Sequence, residues 1–216
     1  MNKKDKIILD LCGGTGAWSK PYRDAGYDVR LVTLPEYDVR TYKPPKNVYG
    51  ILAAPPCTMF SFARTNAKKP RDLEEGMEVV RACLNIIWWL MEIQQPTGKK
   101  TLPLKFWALE NPARGFLPYF LGKPAMTFNP YEFGDMYKKE TALWGNFNEP
   151  KKVISERNGN LYAHIPKALR AMGGMVKFDK LPTKEIAPEQ YGKLTRTERR
   201  AITPAGFAKA FFEANQ

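Results

Sequence analysis

Histidine is almost absent from this 216-residue sequence, and cysteine is scarce. His164 is the single histidine, which excludes a metal centre built from several histidines and leaves Ser-His-Asp catalysis dependent on one side chain. We interpret His164 as a surface or packing residue. The three cysteines are far apart and form no CxxC pair, which argues against a zinc site or a thioredoxin-like motif. We therefore expect no bound metal and a reducing, cytoplasmic location.

Long apolar runs are also missing. The longest run, 84–91, is too short to span a membrane, and Asp10 interrupts the apolar run near the start, so we expect neither a secretion signal nor a membrane partner. Acidic residues number 22 against 34 Lys and Arg, a formal charge of +12. A hydrophobic content of 44% at this length predicts one globular domain with at most a small appendage. The charge suggests an anionic partner, and nucleic acid is the usual one.

Strand and helix patterns alternate along the first half of the chain. The predicted strands are 6–12, 27–34, 48–54 and 105–110, and the predicted helices run from the GGTG segment to Ala25, from Asp72 to Ile93 and over 203–215. This order predicts an α/β fold that is doubly wound around a mainly parallel sheet. In such sheets ligands bind beyond the carboxyl ends of the strands. The segments GGTG, PPC and ENP each follow a predicted strand at that edge.

Composition divides the chain into three parts. We expect a core with all three motifs at 1–149, a small irregular basic subregion at 150–200, and a C-terminal helix at 201–216 that returns to the core. The subregion has twelve Lys or Arg residues against five acidic residues, a net charge of +7. It would contact phosphates without specifying sequence. The alternative is a solvated basic face.

A glycine-rich loop, Gly13–Gly16, follows the first predicted strand and opens a helix. Glycine lets a ligand approach the backbone closely, and a helix start offers free N–H groups. The spacing is neither that of a P-loop, whose second glycine would be Trp18, nor that of the dinucleotide fingerprint, whose third would be Ser19. The loop suits a nucleoside cofactor without pyrophosphate, such as S-adenosylmethionine, with Trp18 stacked on the adenine. The alternative is a tight turn with Trp18 in the core.

Cys57 and Glu110 lie at the ends of two predicted strands. Pro55 and Pro56 fix the backbone before Cys57 and would present its thiol as a nucleophile. An inert buried cysteine is the alternative. Glu110, at the end of an apolar strand, would serve as a proton donor. Its alternative roles are to cap the turn or to pair with Arg114.

Taken together, the motifs resemble those of the DNA cytosine-5 methyltransferases, especially the short forms common in phages. The segments that carry the resemblance are DLCGGTGAW, APPCTMFS, LENP and TPAGFAKAF. The resemblance implies a Rossmann-like fold, S-adenosyl-L-methionine as cofactor, methyl transfer to C5 of cytosine in DNA, and a bacterial or phage-infected cell as the setting. Cys57 would attack C6 of a flipped cytosine, Glu110 would bind N3 and the exocyclic amine, and Asn111 would order the Glu110 loop. The amino-methyltransferase motif [DNS]PP[YFW] fits less well, because Ala54 precedes the prolines and Cys57 follows them.

The resemblance implies further site residues. Lys139 takes the position of an arginine that contacts the cytosine. Cofactor contacts are expected at Asp10, Cys12, Gly13, Gly14, Thr15, Gly16, Trp18, Thr33, Asp38 and Pro55. Nucleic-acid contacts are expected at Ser61, Arg64, Arg114, Lys151, Lys152, Arg196, Arg199 and Arg200. Trp88 and Trp89 are instead expected to pack in the core or at its edge.

Three departures from the family leave alternatives open. Thr33 stands where an acid usually binds the cofactor ribose, Glu36 follows three residues on, and Asp38 is expected near the adenine amino group. Lys139 lacks the planar fork of arginine. The subregion 150–200 takes the place of a larger recognition domain, so we expect loose specificity and a monomer acting on duplex DNA with a flipped cytosine or on single-stranded DNA. RNA or a free cytosine nucleotide is the alternative substrate, and a non-catalytic nucleic-acid-binding protein is the alternative of another class.

Overall fold

A computed structural model describes residues 2–64, 67–94, 103–135, 137–153 and 192–216. These residues form an α/β fold, a six-stranded mixed sheet flanked by helices. The strands are β1 (Ile7–Leu11), β2 (Asp28–Val32), β3 (Val48–Ala53), β4 (Phe106–Pro112), β5 (Met126–Phe128) and β6 (Thr141–Asn146). The helices are α1 (Lys20–Asp24), α2 (Leu73–Ile93), α3 (Leu117–Leu121), α4 (Arg196–Ala201) and α5 (Ala205–Ala214).

Four strands form a parallel half-sheet in the order β2-β1-β3-β4. The inner strands β1 and β3 have the sequences IILDL and VYGILA, which are almost wholly apolar and buried because both of their faces are covered. β2, at the edge of the sheet, is only partly buried. This half of the sheet confirms the four predicted strands and the mainly parallel arrangement.

The other end of the sheet is antiparallel and was not predicted. β6 runs opposite to both β4 and β5. Gly145 in β6 approaches β4 so closely that a Cβ there would lie 2.1 Å from the carbonyl oxygen of Trp107, so only glycine fits. β5 has only three residues, too few to show a strand period in the sequence.

Alternate strand residues face two hydrophobic cores, one on each side of the sheet. On one side, Leu9, Ile51 and Leu109 pack with the buried stripe of α2. On the other side, Ile8 and Leu52 pack with an aromatic cluster from α1 and α5. Helices therefore cover both faces, as the doubly wound arrangement requires.

Helix α2 begins where the sequence predicts. The carboxylate of Asp72 accepts a hydrogen bond from the amide of Glu75 at 2.8 Å, which caps the first turn. Trp88 and Trp89, which we expected to pack in the core or at its edge, lie outside the buried stripe of this helix and are exposed, so neither packs in the core. Helix α1 is shorter than predicted, because Gly14 and Gly16 adopt positive φ angles of 54° and 69° and keep the preceding residues in turns.

The closing helix α5 confirms the prediction for 203–215. Phe207 and Phe211 are fully buried on one face of the sheet. The Asn215 side chain holds the end of the chain, accepting from the Asn148 amide at 2.8 Å and donating to the Asn148 carbonyl at 3.0 Å.

Only the two ends of the predicted basic subregion 150–200 are described. α4 begins with a capping box, in which Thr195 and Glu198 each accept a hydrogen bond from the other's backbone amide. His164 lies outside the described residues. Within the described ranges, no helix combines the length and apolar character needed to cross a membrane.

Candidate active site

Cys57 and Glu110 are brought together by the pairing of β3 with β4. The two strands are parallel neighbours, with Ala53 opposite Leu109. Cys57 lies four residues beyond Ala53, and Glu110 directly follows Leu109. The two functional groups therefore come from the carboxyl ends of adjacent strands, the edge where α/β folds place their ligands.

A buried hydrogen bond fixes the two segments relative to each other. The side-chain amide of Asn111 donates to the carbonyl oxygen of Pro55 at 3.0 Å. Asn111 is 1% exposed, so this bond is shielded from water. Asn111 thus connects the Glu110 strand to the Pro-Pro turn before Cys57. Pro55, expected to contact the cofactor, is buried and uses its carbonyl for this bond.

Lys139 completes the cluster from the segment before β6. Its Nζ lies 3.3 Å from Oε1 of Glu110, and the two side chains are only 14% and 16% exposed. The predicted alternative, in which Glu110 pairs with Arg114, is wrong. Arg114 instead donates to Glu140 at 2.8 Å on the surface.

The surroundings of Cys57 disfavour its thiolate. Burial raises its pKa, the negative charge of Glu110 raises it further, and the positive charges of Lys139 and Arg200 oppose that increase. Arg200, on α4, is a predicted nucleic-acid contact, and in the structure its charge also acts on the thiol. No local pattern indicates this effect, because α4 is distant in the chain from Cys57.

Tyr137 and Asp135 extend the cluster and were missed by sequence reasoning. Burial raises the pKa of the Tyr137 phenol, and the charges of Asp135 and Glu110 raise it further. Asp135 accepts a hydrogen bond from the amide of Gly206 at 3.1 Å, at the start of α5. Burial raises the pKa of Asp135 to about 6, although hydrogen bonds from backbone amides at the start of α5 oppose the increase. A line of polar groups thus runs from Glu110 to the closing helix.

The glycine loop after β1 is shaped by its backbone. Cys12, Gly14 and Gly16 have positive φ angles of 57°, 54° and 69°. A Cβ on Gly13 would lie 2.4 Å from Cγ of Asp10, so this position has no space for a side chain. Glycine at position 13 therefore lets the loop lie directly against Asp10.

Asp10 is the buried acid beneath this loop. It is fully buried, and its Oδ2 accepts a hydrogen bond from the Ser19 hydroxyl at 2.5 Å. Its Oδ1 has no hydrogen-bond partner among the described residues. Burial raises the pKa of Asp10 to about 6, with the Ser19 bonds and the charge of Arg23 opposing the increase.

Trp18 does not have the predicted role. It is 2% exposed, and its ring packs against Phe207 and Phe211 with centroids 5.8 and 5.4 Å away. No ring face is open to an adenine, so the stacking role is wrong and the core alternative describes its position. Cys12 is also in contact with core residues, since its Sγ lies 4.0 Å from Sγ of Cys83.

The expected adenosine contacts after β2 are only partly available. Thr33 is partly buried, directly after the last residue of β2. Asp38 forms an ion pair with Arg40 at 2.6 Å, and hydrogen bonding from Arg40 lowers the pKa of Asp38. Beside them lies a surface groove of about 420 Å³ between the 39–44 segment and α2. Its lining includes neither Cys57 nor the glycine loop, so it is separate from the cluster described above.

The expected nucleic-acid contacts lie in two places. One group, Ser61, Arg64 and Arg114, is near the Cys57 and Glu110 segments, and Arg64 donates to the carbonyl of Pro70 at 3.1 Å.

Thr15, an expected cofactor contact, is exposed in the glycine loop.

The remaining expected contacts flank the undescribed part of 150–200. Lys151 is exposed, whereas Lys152 forms an ion pair with Glu132 at 2.8 Å. Nε of Arg199 is buried without a hydrogen-bond partner among the described residues. The side chain of Arg196 lies outside the described part of the chain.

The cluster thus unites a nucleophile, a carboxylic acid and two cations at one sheet edge. In the described ranges, no group of three or more His, Cys, Asp or Glu side chains is arranged to hold a metal ion. The chain matches no protein-family model, and a search of curated proteins finds no similar sequence.

Proposed function

We propose that this protein is an S-adenosyl-L-methionine-dependent methyltransferase that modifies C5 of cytosine in DNA through a covalent adduct of Cys57. The observation that carries the proposal is the convergence of Cys57, Glu110 and Lys139 at the carboxyl ends of β3 and β4, with Lys139 3.3 Å from Glu110. A mainly parallel sheet with helices on both faces supports a Rossmann-like methyltransferase fold. A thiol and a carboxyl group in this arrangement suit addition to an electron-poor ring.

The residues after β1 fit the proposed cofactor. Gly13 lies so close to Asp10 that it has no space for a side chain, and the buried Oδ1 of Asp10 has no hydrogen-bond partner in the part of the chain that the structure describes. Asp10 and the loop 12–16 would hold the cofactor, and Thr33 would lie near the ribose. Asp38 would contact the adenine amine in place of its ion pair with Arg40. When bound, S-adenosyl-L-methionine supplies an electrophilic methyl group.

The chemical steps follow from the residue types. Sγ of Cys57 forms a bond to C6 of the cytosine, and Glu110 gives a proton to N3, so electron density moves to C5. C5 then takes up the methyl group. Loss of the C5 proton to water and breakage of the Sγ–C6 bond restore the ring and release Cys57, while N3 returns its proton to Glu110.

The charges of the cluster suit this proton balance. Cys57 is a thiol in the free protein, and Glu110 disfavours its thiolate. A proton that leaves Cys57 and reaches N3 by way of Glu110 leaves the total charge of the pocket unchanged. It also removes the negative charge that opposes the thiolate. Lys139 and Arg200 favour the thiolate and would stabilise negative charge on the adduct.

The partner and setting complete the proposal. The charge of +12 favours a polyanionic substrate, for which we propose DNA bound by a monomer. The three free cysteines suit the reducing cytoplasm of a bacterial or phage-infected cell. We expect loose sequence specificity, because the basic residues of this short chain would contact phosphates, and such contacts position DNA without reading bases.

A labelled methyl-transfer assay tests this function. The protein is incubated with labelled S-adenosyl-L-methionine and duplex DNA, single-stranded DNA, RNA or dCMP, beside the Cys57→Ser and Cys83→Ala variants. We expect transfer to DNA that Cys57→Ser abolishes and Cys83→Ala retains, because Cys83 is a fully buried core residue of α2. Transfer to none of the substrates would contradict the proposed methyltransferase activity. Transfer only to RNA or dCMP would contradict the proposal that DNA is the substrate.

A further inference from the structure

Four aromatic residues form a strip on the surface beside the candidate active site. Phe62, Tyr119 and Phe120 are 48%, 80% and 49% exposed, and Phe116 is partly buried between them. The rings of Phe62 and Phe116 have centroids 5.0 Å apart, and those of Phe116 and Tyr119 are 6.3 Å apart. Large apolar side chains grouped on a surface mark an interaction site more often than single exposed ones do. We call these four residues the aromatic strip.

The strip is built by direct pairing of the two catalytic segments. Ser61 and Gly115 form an antiparallel bridge, and the amide of Phe116 donates to the carbonyl of Phe60 at 3.0 Å. A Cβ on Gly115 would lie 2.8 Å from that carbonyl oxygen, so glycine permits the contact. The amides of Phe60 and Ser61 both donate to the carbonyl of Cys57, at 3.0 and 2.8 Å. The strip is therefore held in a fixed position next to the nucleophile.

Positive charge accompanies the strip. The guanidinium of Arg71 lies over the Phe116 ring, 5.3 Å from its centroid. Arg71 also donates to the carbonyls of Met59 and Ser61 at 2.9 and 2.8 Å, which holds this cation in place. Lys68 and Lys69 are exposed on the adjoining segment.

Two further arginines border the strip. The amide of Phe62 donates to the carbonyl of Arg114 at 3.2 Å, which places the Arg114 backbone beside the backbone of Phe62. Arg114 has an acidic partner, Glu140, and Arg64 bonds to a backbone carbonyl. Exposed rings among cations are the combination that proteins use to bind single-stranded nucleic acid, with bases stacked on rings and phosphates on cations.

We propose that the aromatic strip binds single-stranded DNA and leads its bases to Cys57. The inference rests on the proposed function, because it names the form of DNA that the same site takes. Unpaired bases expose the ring faces that Phe62 and Tyr119 would stack on, whereas the bases of a duplex are stacked on each other. A purely apolar protein partner would not use the cations that border the rings.

Fluorescence anisotropy of a short labelled oligonucleotide tests the strip independently of catalysis. Every protein carries Cys57→Ser, so that no chemistry occurs, and single-stranded DNA is compared with its duplex at one salt concentration. We expect tighter binding of the single strand. Phe62→Ala and Tyr119→Ala should each weaken it by roughly 5- to 150-fold, the equivalent of one lost stacking contact. Tyr119→Phe should restore it, because the ring is kept.

Trp88→Ala is the matched control, since Trp88 is 54% exposed but lies on α2, outside the strip. It should leave binding unchanged. Circular dichroism melting verifies that each variant is folded. Equal weakening by Trp88→Ala, unchanged binding after Phe62→Ala and Tyr119→Ala, or preference for the duplex would each overturn the proposal. So would single-stranded RNA binding more tightly than DNA, or self-association that Phe62→Ala abolishes while DNA binding persists.

The two proposals fail separately. Strip-dependent binding of single-stranded DNA without methyl transfer by the wild-type protein contradicts the proposed function and leaves the strip intact. Methyl transfer to duplex DNA with no effect of the strip variants contradicts the strip and leaves the proposed function intact.

Discussion

The glycine loop after β1 and the cluster after β3 and β4 lie at the same edge of the sheet but are made differently. The loop owes its shape to backbone angles at Cys12, Gly14 and Gly16 and to the lack of space at Gly13. The cluster consists of side-chain charges around Cys57. The first region should therefore be sensitive to added atoms and the second to changed charges.

The largest effect should come from a change of charge in the cluster that adds no atoms. Glu110→Gln removes the proton donor while keeping size, so methyl transfer should fall by about 100-fold or more. The variant also removes one partner of a mostly buried ion pair, so the urea unfolding transition should shift to lower urea, and rates are compared at temperatures where both proteins are folded. Labelled methyl transfer under saturating cofactor measures the effect.

Glu140→Gln is the matched control for that experiment. Glu140 is a nearby carboxylate with a surface partner, Arg114, and such pairs contribute little. Its rate should be almost that of the wild type. An equal loss in both variants would show that surface charge, rather than the position of Glu110, determines the rate.

An intermediate effect should come from adding one carbon to the loop. Gly13→Ala would place its Cβ within 2.5 Å of Asp10 and Leu31 atoms, so we expect a loss of about 1–3 kcal/mol in the free energy of unfolding and weaker cofactor binding. Gly14→Ala meets no atom within 4 Å, but its φ of 54° disfavours alanine, at a cost of about 1 kcal/mol. Urea denaturation and calorimetric titration with S-adenosyl-L-methionine measure both. A larger loss for Gly14→Ala would contradict the account of the loop.

A further effect, which requires no cofactor, is a pH dependence of stability from Asp10. Its pKa is about 6 in the folded protein and near the ordinary value of 3.8 in the unfolded chain. Between these values the folded state binds more protons, so the free energy of unfolding should fall as pH rises from about 4 to about 6 and then level off. Asp10 accounts for at most about 3 kcal/mol of this change in the free energy of unfolding.

Asp10→Asn should remove this pH-dependent contribution and keep an oxygen that accepts the hydrogen bond from Ser19. Asp135 contributes a decline in the same pH range, so the variant should flatten the curve only in part. Urea unfolding at several pH values from 4 to 7.5 is the measurement. A curve for Asp10→Asn that matches the wild type would contradict the raised pKa.

The parallel half of the fold could be predicted from the sequence because its signals are local. The buried strands β1 and β3 are continuous apolar runs, and Asp72 is a recognisable helix cap. β5 has only three residues, and β6, with six, has no alternating pattern and depends on antiparallel pairing with distant residues. Trp18 was misplaced because the helix that buries it comes from the far end of the chain.

The candidate site was predictable to a similar degree. Cys57 and Glu110 follow strands and carry recognisable motifs, and their proximity follows from the pairing of β3 with β4. Lys139 entered only through the resemblance to a family. The effects of the Arg200 charge on the thiol and of the Glu110 charge on the Tyr137 phenol arise from tertiary packing, which no local pattern encodes.

The most direct test of the central claim is trapping with DNA that contains 5-fluorocytosine. Fluorine at C5 cannot leave as a proton does, so the Sγ–C6 bond of the methylated adduct should persist. We predict a denaturant-resistant protein–DNA complex that requires S-adenosyl-L-methionine and Cys57, with the adduct located on Cys57 by peptide mass spectrometry. A complex that forms equally with Cys57→Ser, or no complex under conditions of measurable methyl transfer, would contradict the account.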